Sequence, residues 1–398
     1  MDAPNPDAQP EGNRPPKMNG TPAAPHPRPV RISSDPARLD TIGPLLSAAR
    51  AAVGDVPALL ELAKTAGQVA PNPGEGRTAY LWEILASVTA VDVAAGRVLE
   101  PHLDAAAILA QAGLKPGLHA ALNGSSEGGD FTDSDAAKFD GAQFSGAWGV
   151  FAAEAPGLRL EARETAGEWV LHGSKPWCSL ASRLDHAVIT AHMEGGGRAA
   201  FAVDLHAQGV SVADPGWTSR GLREIPSGTV QFEAVPAVPL GGPGWYFERP
   251  GFAWGGMGVA ACWLGGAVAV GRSFTASLRK AADGGREPDQ IALARLGEID
   301  RTLAALTAYL AATARRIDSG ELSGKGAWQE ALRVRGSVAA AVERIQTLVN
   351  QNLGPGPLAF DEAYGKRMAD LSLYIGQHHA MRDDAQLGAL TLTGEDPW

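Results

Sequence analysis

Two stretches of the chain carry side chains able to do chemistry. The first, GSKPWCS (Gly173 to Ser179), sets a lysine, a tryptophan, a thiol and two hydroxyls between the strand-like runs GEWVLHG and HAVITA. A plain hairpin crossing needs only a Gly, Asn or Asp turn. Turn geometry alone gives no reason for a bulky Trp177 at this place; it could be a core tryptophan followed by a turn serine. The second stretch, GQHHAMRDD (Gly376 to Asp384), brings two imidazoles beside Arg382, Asp383 and Asp384. Neutral imidazole is a competent base near pH 7, so His378 and His379 are the candidate catalytic bases. Helical spacing would pair His378 with Arg382 and His379 with Asp383, and such a cluster could equally cap a helix or meet a second subunit. Adjacent helical residues point about 100° apart, so these histidines cannot share one ion, and no metal site is expected. Cys178 and Cys262 make neither a CxxC pair nor a disulfide framework. GxGxxG after a strand, GxxxxGK[ST], HExxH and GxSxG do not occur.

The elements that must position these groups fall into blocks. At 398 residues the chain is too long for one ordinary core. Residues 1–38, rich in Pro, Asn and Gly, read as a disordered tail. Residues 39–146 repeat apolar positions at helical spacing and predict a helical domain, followed within the block by a polar loop or lid, Asn123 to Gly141. Over 147–247 the period changes to two, and short runs such as LRLEARE, HAVITAHM and GTVQFEAVPA predict a small antiparallel barrel or sandwich. Over 248–398 the helical period returns, as a four-helix bundle. Pro250 to Gly271 lacks any charge and is long enough to span a bilayer, yet its seven glycines and the amphipathic continuation from Arg272 predict a central buried helix, with no membrane span. The net charge of −10 and the lack of Lys/Arg-rich runs argue against nucleic acid. With no secretory pattern at the N-terminus, a reducing cytoplasm is expected.

Taken together, the architecture and local motifs resemble the acyl-CoA dehydrogenase superfamily from about Gly149 to Asp384. GSKPWCS looks like that family's G-x-K-x-W-[IV]-[TS] signature, and WGVFAAEAPGLRLEA looks like its strand ending in TEPxxGSD. The later runs FAVDLHAQGVSV, WTSRGLREIPSGTVQFEAVPA and GGPGWYFERPGF follow the family order. The resemblance implies an α+β multidomain fold, FAD as cofactor, a small-molecule substrate (possibly an acyl-CoA), and a homodimer or homotetramer. It places Trp177 against the flavin and gives polar contacts to Ser179 and to the backbone at Cys178, whose thiol reads as buried filler. Glu154, at the strand end, would support the flavin. Arg286, Gly354 and Gly356 match the positions that hold the adenosine diphosphate half.

The departures narrow the function. Ala153-Glu154-Ala155 stands where the family has Thr-Glu-Pro, and Gly157-Leu158-Arg159 replaces the Gly-Ser-Asp that helps to hold CoA. The family's base belongs to a Y-E-G-T segment, matched here by Tyr374-Ile375-Gly376-Gln377; the other address, the long helix from Ala253 to Ala282, offers no carboxylate. The leading expectation is an FAD-dependent oxidoreductase acting on an acyl thioester or related carbonyl compound. The alternatives are a reduced-flavin monooxygenase on the same fold, which needs no such Glu, and a catalytically silent flavin-binding or assembly subunit.

Overall fold

The computed structural model describes residues 28–33, 42–114, 146–165, 167–214 and 216–394. Residues 1–27 of the expected tail and the stretch Asn123 to Gly141 lie outside the described residues. Residues 28–33 depart from the expected tail. Val30 and Ile32 are both 3% exposed. Glu83 accepts the backbone N–H groups of Ile32 and Ser33 at 3.0 and 2.6 Å, and Arg272 holds the carbonyls of Arg28 and Pro29. Two apolar side chains at alternate positions suffice to dock an extended strap once its backbone donors find partners.

Four helices follow: α1 (Gly43–Ala51), α2 (Val56–Gly67), α3 (Thr78–Val91) and α4 (Val93–Gln111). Asp92 starts α4 by accepting the N–H of Ala95 at 3.0 Å. Within α4, Pro101 leaves the Arg97 carbonyl without its usual helical donor.

The middle domain has strands β1 (Trp148–Phe151), β2 (Leu160–Thr165), β3 (Glu168–Ser179), β4 (His186–Met193), β5 (Arg198–Asp204), β6 (Val210–Val212) and β7 (Ser227–Leu240). They run in the order β1-β4-β2-β3-β7-β5, a β4–β5 pairing closes a small barrel, and β6 adds to β7. Most pairings are antiparallel as expected; β1 and β2 both lie parallel to β4, sharing one of its edges.

The short helix α5 (Trp245–Glu248) leads into α6 (Pro250–Asp283), α7 (Gln290–Asp318) and α8 (Gly324–Leu353). The chain ends in α9 (Gly356–Phe360), α10 (Glu362–Tyr374), a 3₁₀ turn (Ile375–Gln377) and α11 (Met381–Leu392). Helix α6 contains the uncharged segment, Pro250 to Gly271, and continues through Arg272 to Asp283. It is long and apolar enough to cross a membrane, and 78% of its most apolar window is buried inside the protein. Its glycines serve packing: a Cβ on Gly265 would lie 2.0 Å from the Ala86 carbonyl oxygen of α3, a backbone approach only glycine permits.

Candidate active site

The signature stretch owes its shape to a bulge. Lys175 pairs with Val230 and Cys178 with Gly228, so Pro176 and Trp177 together face one residue of β7. Proline cannot donate to the ladder and is at home in a bulge. Trp177 then takes φ 59° and its side chain is 60% exposed, a strained backbone holding an indole outside the core. The bulge turns the neighbours inward. Lys175 is 1% exposed and reaches Glu154 at 2.8 Å and Thr190 at 3.0 Å. The Cys178 thiol donates to the Lys175 carbonyl at 3.3 Å, and burial pushes it up to about 12. Only the backbone of Cys178 can therefore meet a ligand on the Trp177 face.

Glu154 also receives His192 at 3.1 Å and Arg198 at 3.4 Å. Burial would raise its carboxyl, yet the Lys175 hydrogen bond and charge outweigh it and hold the group below its ordinary value. Glu154 thus anchors β1 to β3, β4 and β5 and has its charge taken up by the protein.

Ser179 points toward the helical domains. Its hydroxyl lies 2.6 Å from that of Ser227 and accepts Nη2 of Arg97 at 3.1 Å. Arg97 begins a row on one face of α4 that sequence reasoning missed, continued by Glu100 and Asp104. Nη1 of Arg97 is 3.9 Å from Glu100, whose side chain is 11% exposed. Burial pushes the Glu100 carboxyl up to about 7, against the Arg97 charge and with help from Asp104. Burial also raises Asp104, opposed by Arg249. Two further groups close over the row. The Tyr374 ring, 1% exposed, lies under the Arg97 guanidinium at 5.8 Å, and its buried hydroxyl is turned to Glu100 and Cys262. Arg335 donates to the carbonyls of Gly256 at 3.1 Å and Gln377 at 2.7 Å and sits 4.8 Å over the Trp263 ring. The signal for this row was a set of charges at i, i+3 and i+7 in an otherwise apolar helix. A second tie fixes α4 to the barrel: buried His102, pushed down to about 4 by burial, accepts the Trp148 N–H at 3.2 Å.

The histidines do not sit on one continuous helix. Tyr374 passes into the 3₁₀ turn, Ala380 adopts φ 47°, and α11 starts afresh at Met381. His379 is 66% exposed with Nδ1 3.3 Å from Asp383, which also accepts its backbone N–H at 3.1 Å. His378 is 8% exposed, 3.8 Å from the same carboxylate. The pair meets Asp383 rather than the Glu100 row, and the expected His378–Arg382 pairing gives way to a shared contact with Asp383. Ile375, at the family's base position, is 8% exposed, with the Glu100 row reaching its neighbour Tyr374 from α4. Arg286 is exposed in the turn before α7, and Gly354, at φ 68°, ends α8. Both belong to the same end of the α7–α8 hairpin, where Arg295 meets Asn352 at 3.4 Å. Arg159 is paired with Glu161 at 3.1 Å on the surface. The carboxylates Asp92, Glu224 and Asp370 lie close enough to hold an ion, and the Lys366 ammonium fills their centre.

An exposed indole beside a hydroxyl pair fits a flat ring with a polar edge. The Glu100 row adds a buried ionisable group nearby. The fold is a helical domain, a β-barrel and a helical bundle, the first two joined here by the Arg97–Ser179 hydrogen bond. Residues 152–235 match the family described as acyl-CoA dehydrogenase, middle domain, and the chain as a whole has an acyl-CoA dehydrogenase-like fold. Among curated proteins none matches it by sequence. Of solved structures, a nitrososynthase from Micromonospora carbonacea var. africana superposes with TM-score 0.72 at 17% identity, covering 92% of this chain and 100% of that one. TdsC from Paenibacillus sp. A11-2, in complex with FMN and indole, gives 0.71 at 17%, covering 89% and 96%. Butyryl-CoA dehydrogenase from Megasphaera elsdenii gives 0.69 at 16%, covering 85% and 90%.

Proposed function

We propose that the chain is a flavin-dependent monooxygenase acting on a small molecule whose reacting end is polar, with Glu100 as its acid–base group. The observation that carries this reading is the buried row Arg97, Glu100 and Asp104 on α4. A fatty acyl chain cannot repay the desolvation of such a wall, and Arg159, in place of the CoA-binding serine turn, is occupied by Glu161. When bound, reduced flavin supplies the electrons for oxygen activation. The chain's own groups do the rest. Trp177 offers its indole face to the ring, and Ser179, oriented by Ser227 and Arg97, offers its hydroxyl to the ring edge. Glu100, poised near neutrality, takes a proton from the substrate and returns it after transfer. The ring contacts serve FMN and FAD alike. The Gly354-Pro355-Gly356-Pro357 turn has two residues without N–H donors, which favours FMN over FAD. Chromatography of the flavin released on denaturation separates the two.

A second reading, a dehydrogenase, is favoured by Glu100 itself, since a carboxylate near pH 7 also suits removal of a proton beside a carbonyl. Anaerobic mixing decides. Under argon, butyryl-CoA should leave the flavin band of the oxidised holoprotein unbleached, while the reduced holoprotein with labelled oxygen should place one labelled atom in a polar substrate. Bleaching by butyryl-CoA would overturn the monooxygenase reading.

The flavin face has its own check. Trp177→Gly relieves the left-handed strain, of order 1 kcal/mol, so the flavin-free protein should melt no lower than wild type. Flavin affinity should fall about tenfold or more through loss of the ring contact, read by fluorescence quenching. Unchanged affinity would remove Trp177 from the site.

A further inference from the structure

The charged face of α4 continues past Asp104 to Gln111, which lines a cavity of about 500 Å³ together with Trp245, Glu248, Arg249 and Trp254. Arg249, immediately before α6, is 5% exposed and donates Nη1 to Gln111 Oε1 at 2.9 Å. Its Nη2 stands 3.8 Å from Asp104, the guanidinium lies 5.1 Å over the Tyr246 ring with the Tyr246 hydroxyl beside it, and its buried Nε has no hydrogen-bond partner among the described residues. A guanidinium offers five N–H donors in a planar fork, so this one is under-satisfied, and a buried charge calls for a closer counter-charge than 3.8 Å. Asp104 is the nearest carboxylate to the guanidinium, and at 3.8 Å it is beyond hydrogen-bond distance. Glu248, the acid among the lining residues, is exposed to solvent and sits over Gly244.

The walls are apolar and fixed. Trp254 donates Nε1 to the Leu322 carbonyl at 3.0 Å, and its ring is seated on Gly74, where a Cβ would come within 2.7 Å. The Trp245 ring lies 6.0 Å from the Arg249 guanidinium carbon. Rigid aromatic walls beside a single under-paired cation select a flat apolar body bearing one negative group.

We propose that this cavity binds an organic anion, an aromatic carboxylate or phosphate, with Arg249 receiving the charge between Trp245 and Trp254. It extends the function proposed above, on which its role depends: the cavity holds the non-reacting anionic end of the substrate, and α4 leads from it to Glu100. At 1.5 Å rise per residue, Gln111 stands about 16 Å along the helix from Glu100, so a substrate reaching both would carry its anionic ring on an extended chain.

Ligand-observed NMR on the full chain, with phenylacetate, phenyl phosphate and neutral phenylacetamide as probes, tests it. One or both anions should bind at least tenfold tighter than the amide, and whichever does fixes the group. Arg249→Gln should abolish the preference, and Gln111→Leu, which leaves Arg249 in place, should keep it. Equal binding of anion and amide by the wild-type protein would overturn the proposal even if Arg249→Gln fails to fold. So would a preference that survives in folded Arg249→Gln. Failure of the oxygen-transfer test with anion binding intact would remove the monooxygenase and leave the cavity standing.

Discussion

Glu100→Gln is expected to lose turnover and gain stability at the same time. The glutamine keeps the shape of a side chain that is 11% exposed while removing its ionisation. In the folded protein burial holds the carboxyl at about 7, above its ordinary 4.5. A raised carboxyl contributes nothing adverse below pH 4.5, where it is protonated folded or unfolded. As pH climbs toward 7 the unfolded chain ionises and the fold resists, so stability drains away by up to about 3 kcal/mol and levels off above pH 8. The variant lacks that penalty. Its melting temperature should match wild type near pH 4.5 and exceed it at pH 8. Turnover should fall by about 10² to 10⁴, the usual worth of a positioned acid–base group, and the limb near pH 7 in the wild-type rate profile should vanish. A variant with the wild-type pH limb would show that another group moves the proton. A variant that melts like wild type at pH 8 would show that Glu100 ionises freely. A silent subunit would have no use for a group that opposes folding at neutral pH, so this coupling of cost to activity separates an enzyme from an assembly partner.

How much of this was legible in the sequence differs by element. The helices and strands declared themselves because their apolar periods were long and the glycines of α6 stood at helix contacts, as at Gly265 against Ala86. GSKPWCS stood out as a candidate through its likeness to a family signature and a tryptophan that turn geometry does not require, and the structure leaves that indole exposed. The inward turn of Lys175 was not legible, since side-chain alternation fails at a bulge, and this one is set by Pro176 and Trp177 falling between the Lys175–Val230 and Cys178–Gly228 pairs. The α4 row was hidden for a different reason. Arg97, Glu100 and Asp104 share a helix face, and sequence cannot say whether a charged face meets water or another domain. His378 and His379 were placed on one helix because nothing in YIGQHHAM marks a break; Ala380 takes a left-handed φ without being glycine. The strap at Val30 and Ile32 carries too few apolar residues to outweigh the proline-rich composition around it.

The other large effect is expected at Lys366, which holds the three parts of the molecule together. Its ammonium lies 2.9 Å from Asp92 at the start of α4, 2.9 Å from Glu224 in the loop before β7, and 2.6 Å from Asp370 one turn along its own helix. Asp370 also accepts the Leu222 N–H at 2.6 Å, tying that loop to α10. Burial works against the charge on Lys366, but the carboxylates prevail and raise its pKa above the ordinary lysine value. Lys366→Met fills the same volume and strands three acids, of which Asp370 is 1% and Asp92 6% exposed. Breaking a buried pair from one side costs about 3–5 kcal/mol, more than replacing the whole pair by apolar groups. The loss should be worst at neutral and higher pH and should shrink on acidification, because stranded carboxyls bind protons more tightly folded than unfolded and regain stability as they take them up. Lys366→Met combined with Asp370→Asn should recover part of it, as expected for coupled neighbours. Calorimetry reads the consequence for architecture. If the clamp joins the domains into one cooperative unit, the single wild-type transition should split in Lys366→Met, with the barrel and the bundle melting apart. A single transition merely shifted downward would assign the domain coupling to the apolar α3–α6 interface instead.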